Sequence, residues 1–303
     1  MTDVVVRATE ERDLPRISDL TAEVFGLRRG VDVLAWLLTR AAGRIDSWVA
    51  ERGDEIVGHT AIVRSRYGSN GAWVTGIHAF LWMADARFRG DAGMALGREI
   101  VRYGDFLIVL GGTATTQAIL TGRRFEQVAQ ATELRLSGDA AAAADRGVRL
   151  VAGEAAGAPA PLPATVTGNE AASDHLEWLA GCPELEAARF TLERDGRPLG
   201  PVLLYVNRQA SPVSGRIVHL PFLGGDADAW SAALAAIGRE LARRGCQTWS
   251  VLATHPALVR ACEEAAAEVA GTRPVWIREQ NKILGSGSWH LTYLEGDLAY
   301  RRV

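Results

Sequence analysis

The chain has 303 residues, about the length of two domains of roughly 150 residues each. Apolar residues make up 48% of the chain and charged residues 23%, a composition that excludes a largely disordered protein. The formal net charge is −3, and Lys and Arg residues are interspersed among Asp and Glu. Because this pattern offers no basic surface to a phosphate backbone, we expect no nucleic-acid partner.

The cysteines and the N-terminus indicate the compartment. Cys182, Cys246 and Cys262 have no CxxC or Cys/His ligand spacing, so the sequence predicts free thiols and no metal site. The N-terminus MTDVVVRATEERD has charges where a signal peptide needs an apolar core, and no run approaches the roughly 18 apolar residues of a membrane helix. We therefore expect a cytoplasmic protein without a membrane partner.

The chain opens with a predicted strand over Val4–Arg7. A helix follows, with apolar residues at three- and four-residue steps as far as Phe25. The β-rich runs Ser47–Arg52 and Ile56–Arg66 flank a Gly53-Asp54 turn and suit a hairpin. The opening therefore predicts a strand, a helix and then antiparallel strands.

A second group of elements completes the first half. The apolar run Trp73–Ala84 predicts a long strand, which leads through a glycine loop into a helix. Phe106–Leu110 predicts a short buried strand, and Thr113 a second helix start after Gly111-Gly112. A strand near Thr132–Leu136 is expected to end the half.

An internal repeat is the most informative feature of the sequence. Trp36 and Gly58 are separated by the same distance as Trp178 and Gly200, at an offset of 142 residues. The same offset places Val109-Leu110 on Val251-Leu252, which favours a duplicated chain. Between the copies, residues 138–173 are rich in Ala, Gly and Pro and are interpreted as a connection.

The loop before the second helix has the composition of an anion site. Free N–H groups at a helix N-terminus, reached through small residues, suit a pyrophosphate. The element order and the segment Phe88–Gly93 resemble those of the GNAT acyltransferases, whose coenzyme A loop reads Gln/Arg-x-x-Gly-x-Gly/Ala. Read from Arg87 the pattern is satisfied, whereas read from Arg89 it is one residue out of register. The resemblance implies a coenzyme A site formed by Trp82, Met83, Ala84, Arg87, Arg89, Gly90, Asp91, Ala92, Gly93 and Met94.

The second half resembles the same superfamily more faintly. The strand Arg216–Leu223 and the segment Gly224-Gly225-Asp226 precede a helix from about Trp230, but no arginine accompanies this loop. We expect this half to shape the acceptor pocket. The resemblance thus predicts an α/β fold, with a mixed, largely antiparallel sheet and flanking helices, in two tandem GNAT-like domains at 1–137 and 174–303 joined by 138–173.

The C-terminal run Ser288–Asp297 resembles the ending of tandem-GNAT sugar N-acyltransferases. This similarity implies transfer of an acetyl or longer acyl group from acyl-coenzyme A to the amine of a small acceptor, such as a nucleotide-linked amino sugar, without a metal. The Asn and the general-acid Tyr that GNATs often have are replaced here by Thr113 and Leu120. Two alternatives therefore stay open: a binding protein that has lost catalysis, and an aminoacyl transferase that uses charged tRNA.

Three side chains are candidates for catalysis. His78 precedes the loop by one strand length, has an ordinary pKa suited to proton transfer, and by strand alternation shares a face with Trp82 and Ala84. His290 and Asp297 are expected to contact a sugar hydroxyl or phosphate. The alternative interpretations are that His78 is a hydrogen-bonded core residue and that the C-terminal pair closes a strand and a turn.

Overall fold

The computed structural model describes residues 3–38, 45–138, 147–153, 162–285 and 287–295. A short 3₁₀ helix, Glu11–Asp13, precedes the first helix. The helices are α1 Leu14–Phe25, α2 Val31–Leu38, α3 Arg89–Ile100, α4 Ala114–Gly122, α5 Ser173–Ala180, α6 Ala227–Arg243 and α7 Pro256–Glu264. The strands are β1 Val5–Ala8, β2 Ile45–Arg52, β3 Glu55–Ser69, β4 Ala72–Ala84, β5 Phe106–Leu110, β6 Glu126–Ser137, β7 Val148–Ala152, β8 Val166–Asn169, β9 Glu186–Arg194, β10 Arg197–Asn207, β11 Ser214–His219, β12 Thr248–Ala253, β13 Glu268–Glu279 and β14 Ser288–His290.

The strands form one continuous mixed sheet. Its order is β1-β2-β3-β4-β5-β13-β6-β12-β11-β10-β9-β7, and β8 pairs with β3 and β14 at its side. Most neighbours are antiparallel, and the parallel pairs are β4–β5, β11–β12 and β8–β14. The predicted mixed, largely antiparallel α/β fold with flanking helices is confirmed.

The sequence repeat corresponds to a repeat of secondary-structure elements. Helices α2 and α5, helices α4 and α7, and strands β6 and β13 have equal lengths and lie 142 residues apart. Trp36 and Trp178, which are related by this offset, stack with ring centroids 5.2 Å apart. The Trp178 indole N–H also donates to the Trp36 carbonyl at 3.4 Å. Helices α2 and α5 therefore contact each other through tryptophans at equivalent positions of the repeat.

The last strand of each half lies within the other half. Strand β13 lies between β5 and β6, with Val275 opposite Leu110. Strand β6 pairs with β12, with Ser137 opposite Thr248. Because of this exchange, β13 of the second half lies next to β5 in the sheet of the first half.

The predicted connection 138–173 differs from the structure. Strand β7 pairs along its whole length with β9, and β8 pairs with β3. By the offset, β7 is the counterpart of β1, so the second copy begins well before residue 174. The Ala/Gly/Pro-rich composition hid these strands because each is short and is stabilised by partners distant in the chain.

Two layers of helices cover the first half of the sheet. Leu14, Ile17 and Leu20 of α1 pack in one buried cluster with Phe80 and Ile108, and we name this side the α1 face. Leu96 and Ile100 of α3 pack in another with Ala84 and Val109, and we name this side the α3 face. Within the described segments, no helix combines the length and apolar character needed to cross a bilayer.

Candidate functional site

The sheet opens between β4 and β5. These two strands pair in parallel only from Gly76–Phe106 to His78–Ile108, although β4 continues to Ala84 and β5 to Leu110. Beyond His78 the edge of β4 that faces β5 has no strand partner among the described residues. Backbone groups along this edge are therefore available to a bound molecule.

A β-bulge shapes the same end of β4. Leu81 has a φ of 48°, and the pairing with β3 shifts where two residues of β4 oppose one of β3. The extra residue reverses the alternation of side chains along the strand. His78 therefore shares the α1 face with Phe80, whereas Trp82 and Ala84 lie on the α3 face. The expectation that His78, Trp82 and Ala84 share one face is wrong.

Helix α3 starts earlier than predicted, at Arg89, so residues 89–93 are its first turns and not a loop. Phe88 is the N-cap, and its side chain makes no capping hydrogen bond. The first helical bond is donated by the Ala92 N–H to the Phe88 carbonyl at 2.9 Å. The N–H groups ahead of it lack helical acceptors and form an electropositive end.

A cleft of about 580 Å³ lies between the parted strands, α3 and α4. Six of the ten predicted cofactor residues line it, namely Trp82, Met83, Ala84, Arg89, Gly93 and Met94. The other four, Arg87, Gly90, Asp91 and Ala92, do not. Arg87 points elsewhere, donating at 2.7 Å to both Asp85 and Glu55. Of the two alignments of the loop, the structure thus brings Arg89, and not Arg87, to the cleft.

Trp82 forms one wall of the cleft by lying on α3. Its indole N–H donates to the Gly93 carbonyl at 3.3 Å. A Cβ atom at Gly97 would lie only 2.9 Å from the indole ring, so this close approach requires glycine. Gly93, in contrast, faces open space. The glycines of α3 therefore let the tryptophan approach and leave room beside it.

Five arginines line the cleft, namely Arg89, Arg98, Arg123, Arg273 and Arg278. None of the described lining residues is an aspartate or a glutamate. Arg123 contacts the Met94 sulfur at 3.1 Å, and Arg273 lies 3.6 Å from Glu133, which is outside the lining. Because guanidinium groups stay protonated at any working pH, the cleft is an electropositive environment suited to an anionic ligand.

Four of these arginines were not predicted from the sequence, and neither were Val24 and Phe25, which line the cleft on the α1 face. Arg98 follows Met94 by one helical turn, a spacing that would have found it once a helix over 89–100 was assumed. Nothing local marks Arg273 or Arg278. They reach the cleft only because β13 crosses into the first half.

His78 lies in the core and does not line the cleft. Its side chain is 1% exposed, and neither ring nitrogen has a hydrogen-bond partner among the described residues. Burial lowers the pKa of His78 to about 3, so the ring is neutral at physiological pH. His78 is therefore buried like a core residue, but the described residues do not supply the hydrogen bond that the alternative interpretation expected.

His290 also lies away from the cleft, in the second half. Its Nε2–H donates to the Leu220 carbonyl at 2.9 Å, and its ring packs against Phe222 and Trp230. Burial lowers its pKa to about 4, against the opposing effect of the hydrogen bond to Leu220. Asp297, its predicted partner, lies outside the described residues.

At the start of α6 in the second half, the described residues form no open cleft like that of the first half. Asp226 caps this helix through the Asp228 N–H at 3.0 Å, and the Trp230 indole N–H donates to the Gly224 carbonyl at 2.9 Å. Phe222 packs edge-on against Trp230. Aromatic side chains thus fill the region where the first half is hollow. Over the described ranges, no group of three or more His, Cys, Asp or Glu side chains could hold a metal ion.

Comparison with known proteins identifies the fold. No protein-family model matches the chain, and no curated protein sequence does. A probable N-acyltransferase from Enterococcus faecalis superposes with a TM-score of 0.63 and 13% identity, over 92% of this chain and 73% of that one. A GCN5-related N-acetyltransferase from Anabaena variabilis gives 0.63 and 12%, over 91% and 72%. A tandem GNAT protein from the clavulanic acid biosynthesis pathway gives 0.57 and 14%, over 91% and 98%. The chain therefore has the fold of the GCN5-related N-acetyltransferases, in an arrangement that a tandem GNAT protein shares over nearly its whole length.

Proposed function

We propose that the protein is an N-acyltransferase that takes an acyl group from acyl-coenzyme A, bound in the cleft of the first half, and transfers it to the amine of a small acceptor. The observation that carries this proposal is the parting of β4 from β5 directly beside the uncapped start of α3. An extended pantetheine arm needs free strand edges, whereas a pyrophosphate needs helix N–H groups and cations. The cleft contains the free edge of β4, and Arg89, the first residue of α3, lines it.

Different lining residues would contact different parts of acyl-coenzyme A. Arg89, in the first turn of α3, would contact the pyrophosphate. Strand alternation and helix packing put Arg98, Arg123 and Arg278 on the same α3 face, where they would offset the remaining phosphate charge. The backbone of Trp82, Met83 and Ala84 would hold the pantetheine arm, with an N–H near Met83 polarising the thioester carbonyl. No metal takes part in this proposal.

The reaction joins two groups that the cleft would hold in contact. The neutral amine nitrogen attacks the thioester carbonyl carbon, forming a C–N bond and an oxyanion. Collapse of this intermediate breaks the C–S bond, the thiolate leaves and takes up a proton, and the amine loses one. The proton that the amine loses matches the proton that the thiolate gains, so the reaction is balanced.

Among the described residues, the cleft has no ordinary acid or base side chain for these proton transfers. The described lining contains no His, Asp, Glu, Tyr or Cys, and Leu120 occupies the position of the usual acid. We therefore propose that water accepts the amine proton and donates to the thiolate. The rate should then rise with pH up to the pKa of the acceptor amine, without a histidine-like inflection near pH 6–7.

A thermal-shift titration with acetyl-coenzyme A tests donor binding. A ligand that binds only the folded state stabilises it by RT ln(1 + [L]/Kd). The wild type should show this rise, and Arg89→Ala should show a smaller one, since a charge-assisted hydrogen bond is worth about 1.5–3 kcal/mol. Arg87→Ala is the matched control, because Arg87 is two residues away, exposed and outside the cleft. Equal losses in the two variants, or no rise in the wild type, would contradict the proposal.

Release of free coenzyme A separates an enzyme from a protein that only binds. A screen of amines, including nucleotide-linked amino sugars, should identify an acceptor that releases thiol in proportion to acylated product. Donor binding without turnover of any amine would favour the alternative in which the fold has kept binding and lost catalysis.

A further inference from the structure

The exchanged strand β13 presents one arginine on each face of the sheet. Arg278 lies two residues from Trp276 and shares the α3 face with it, whereas Arg273 lies two residues from Val275 and shares the α1 face. Both line the cleft. The four arginines assigned to the donor lie on the α3 face, so Arg273 is the one lining arginine of the described chain that lies on the α1 face.

The position of Arg273 is defined by the end of β5. Gly111 has a φ of 81° and donates its N–H to the Pro274 carbonyl at 2.8 Å. The Arg273 side chain lies directly over Gly111, because a Cβ atom there would be 3.6 Å from the Arg273 Cδ. The side chain is thus held beside the end of β5, where it lines the cleft.

Among the described residues, the Arg273 guanidinium has one recorded partner. Its Nη2 forms a long ion pair with Glu133 Oε2 at 3.6 Å, beyond hydrogen-bond distance. The other oxygen of this carboxylate, Oε1, accepts a hydrogen bond from the Tyr293 hydroxyl at 3.0 Å. The Nε of Arg273 is buried and has no hydrogen-bond partner in the described part of the chain. A guanidinium has five N–H donors, so capacity for a bidentate anion remains.

The rest of this side of the cleft is apolar. Its lining comes from Val24, Phe25, Phe80, Leu81 and Met83, and Phe25 is 39% exposed at the mouth. An acceptor with several positive charges would meet arginines here and no lining carboxylate among the described residues. An amine with an apolar body and an acidic group would satisfy both the wall and the cation.

We propose that the acceptor is an acidic amine, whose carboxylate or phosphate is bound by Arg273 while its apolar part packs on the α1 face. This inference rests on the proposed acyl transfer. It makes Arg273 a specificity-determining residue contributed by the second half, and it excludes polyamines as preferred acceptors.

Matched amines test the inference. With acetyl-coenzyme A as donor, kcat/KM is measured from thiol release for phenylalanine against phenethylamine, tryptophan against tryptamine, O-phosphoethanolamine against ethanolamine, and spermidine. In at least one pair the acidic member should be preferred by about 10- to 100-fold, the range expected of one charge-assisted bidentate contact. The carboxylate and phosphate pairs distinguish the two forms of anion.

Variants of β13 separate the two binding functions. Arg273→Gln should abolish the preference for the acidic amine and leave the thermal shift by acetyl-coenzyme A unchanged. Arg273→Lys should retain part of the preference. Arg278→Leu should do the reverse, lowering the acetyl-coenzyme A shift and keeping the preference. Since the preference is first measured on the wild type, a variant that fails to fold does not remove the test.

Four results would overturn the inference. They are equal or better use of the neutral amines, preference for spermidine, retention of the acidic preference by Arg273→Gln, and no turnover of any acidic amine by protein that acylates a neutral one. Absence of acetyl-coenzyme A binding by the wild type is a different failure, of the proposed function itself, and is detected before any acceptor is added.

Discussion

The packing of Trp82 on α3 gives a prediction with an internal control. Gly97 and Gly93 are both interior residues of the same helix, one turn apart. Replacing either with alanine should gain about 1 kcal/mol of helix propensity. At Gly97, however, the added methyl carbon would lie 2.9 Å from the Trp82 ring, a contact that forces the indole to move. At Gly93 it meets nothing within 4 Å.

The difference between the two variants isolates the contact with Trp82. Forcing an extra methyl group into a packed site costs about 1–3 kcal/mol. Gly93→Ala should therefore be about 1 kcal/mol more stable than the wild type. Gly97→Ala should be unchanged or up to about 2 kcal/mol less stable, because the helix gain offsets part of the cost. The propensity gain cancels in the comparison, leaving a gap of about 1–3 kcal/mol between them.

Urea denaturation at equilibrium measures this gap from the midpoints at constant slope. Placing Gly97→Ala in a Trp82→Leu background completes a double-mutant cycle, and there the alanine should become stabilising. Equal midpoints for Gly93→Ala and Gly97→Ala would refute the close packing of the indole on α3. A destabilising effect of Gly97→Ala that persists without the indole would assign the cost to another neighbour.

Two buried titratable groups, Glu295 and His78, should change the stability of the fold with pH in opposite directions. Burial raises the pKa of Glu295 to about 7, against its ordinary 4.5, although Tyr67 and Asn169 hydrogen-bond to its carboxyl group. The folded state then binds the proton more tightly, so the wild type should lose on the order of 3 kcal/mol relative to Glu295→Gln between pH 4.5 and pH 7. The free energies of unfolding of the wild type and Glu295→Gln are measured by urea denaturation at each pH. A difference between them that stays constant from pH 4.5 to pH 7 would show that Glu295 is ionised in the folded state. The folded pKa of His78, about 3, is lower than its ordinary value, so the wild type loses free energy of unfolding as the pH falls below 6.5. His78→Leu lacks this group, so acidification to pH 5 should destabilise it by about 2 kcal/mol less than the wild type. His78→Leu should also keep the acetyl-coenzyme A shift, and loss of turnover with an intact fold would restore His78 as the base.

The sequence was sufficient for the features that depend on neighbours in the chain. Apolar periodicity predicted the strands of the first half and the helices α1 and α3, but α2 was not predicted. The Gly53-Asp54 turn predicted the hairpin of β2 and β3. A constant offset of 142 residues predicted the repeat. Trp82, Met83, Ala84, Arg89, Gly93 and Met94, which the resemblance to the GNAT coenzyme A loop implied as cofactor residues, line the cleft. The elements and the repeat are encoded by spacing, which can be read without knowing what a segment packs against.

The features that escaped depend on contacts between distant segments. A bulge at Leu81 reversed the side-chain alternation and moved His78 to the opposite face from Trp82, because one extra residue is invisible in an apolar run. Strands β7 and β8 were hidden in an Ala/Gly/Pro-rich stretch, since their partners lie in other parts of the sheet. Arg273 and Arg278 reach the cleft only through the exchange of β13, whose neighbour β5 precedes it by more than 150 residues. The sequence by itself determined most elements of the first half, the repeat, and the presence of a helix after the strand Trp73–Ala84. Only the tertiary structure decided which side chains share a face and which charges converge, because strand register and strand order are set by long-range pairing.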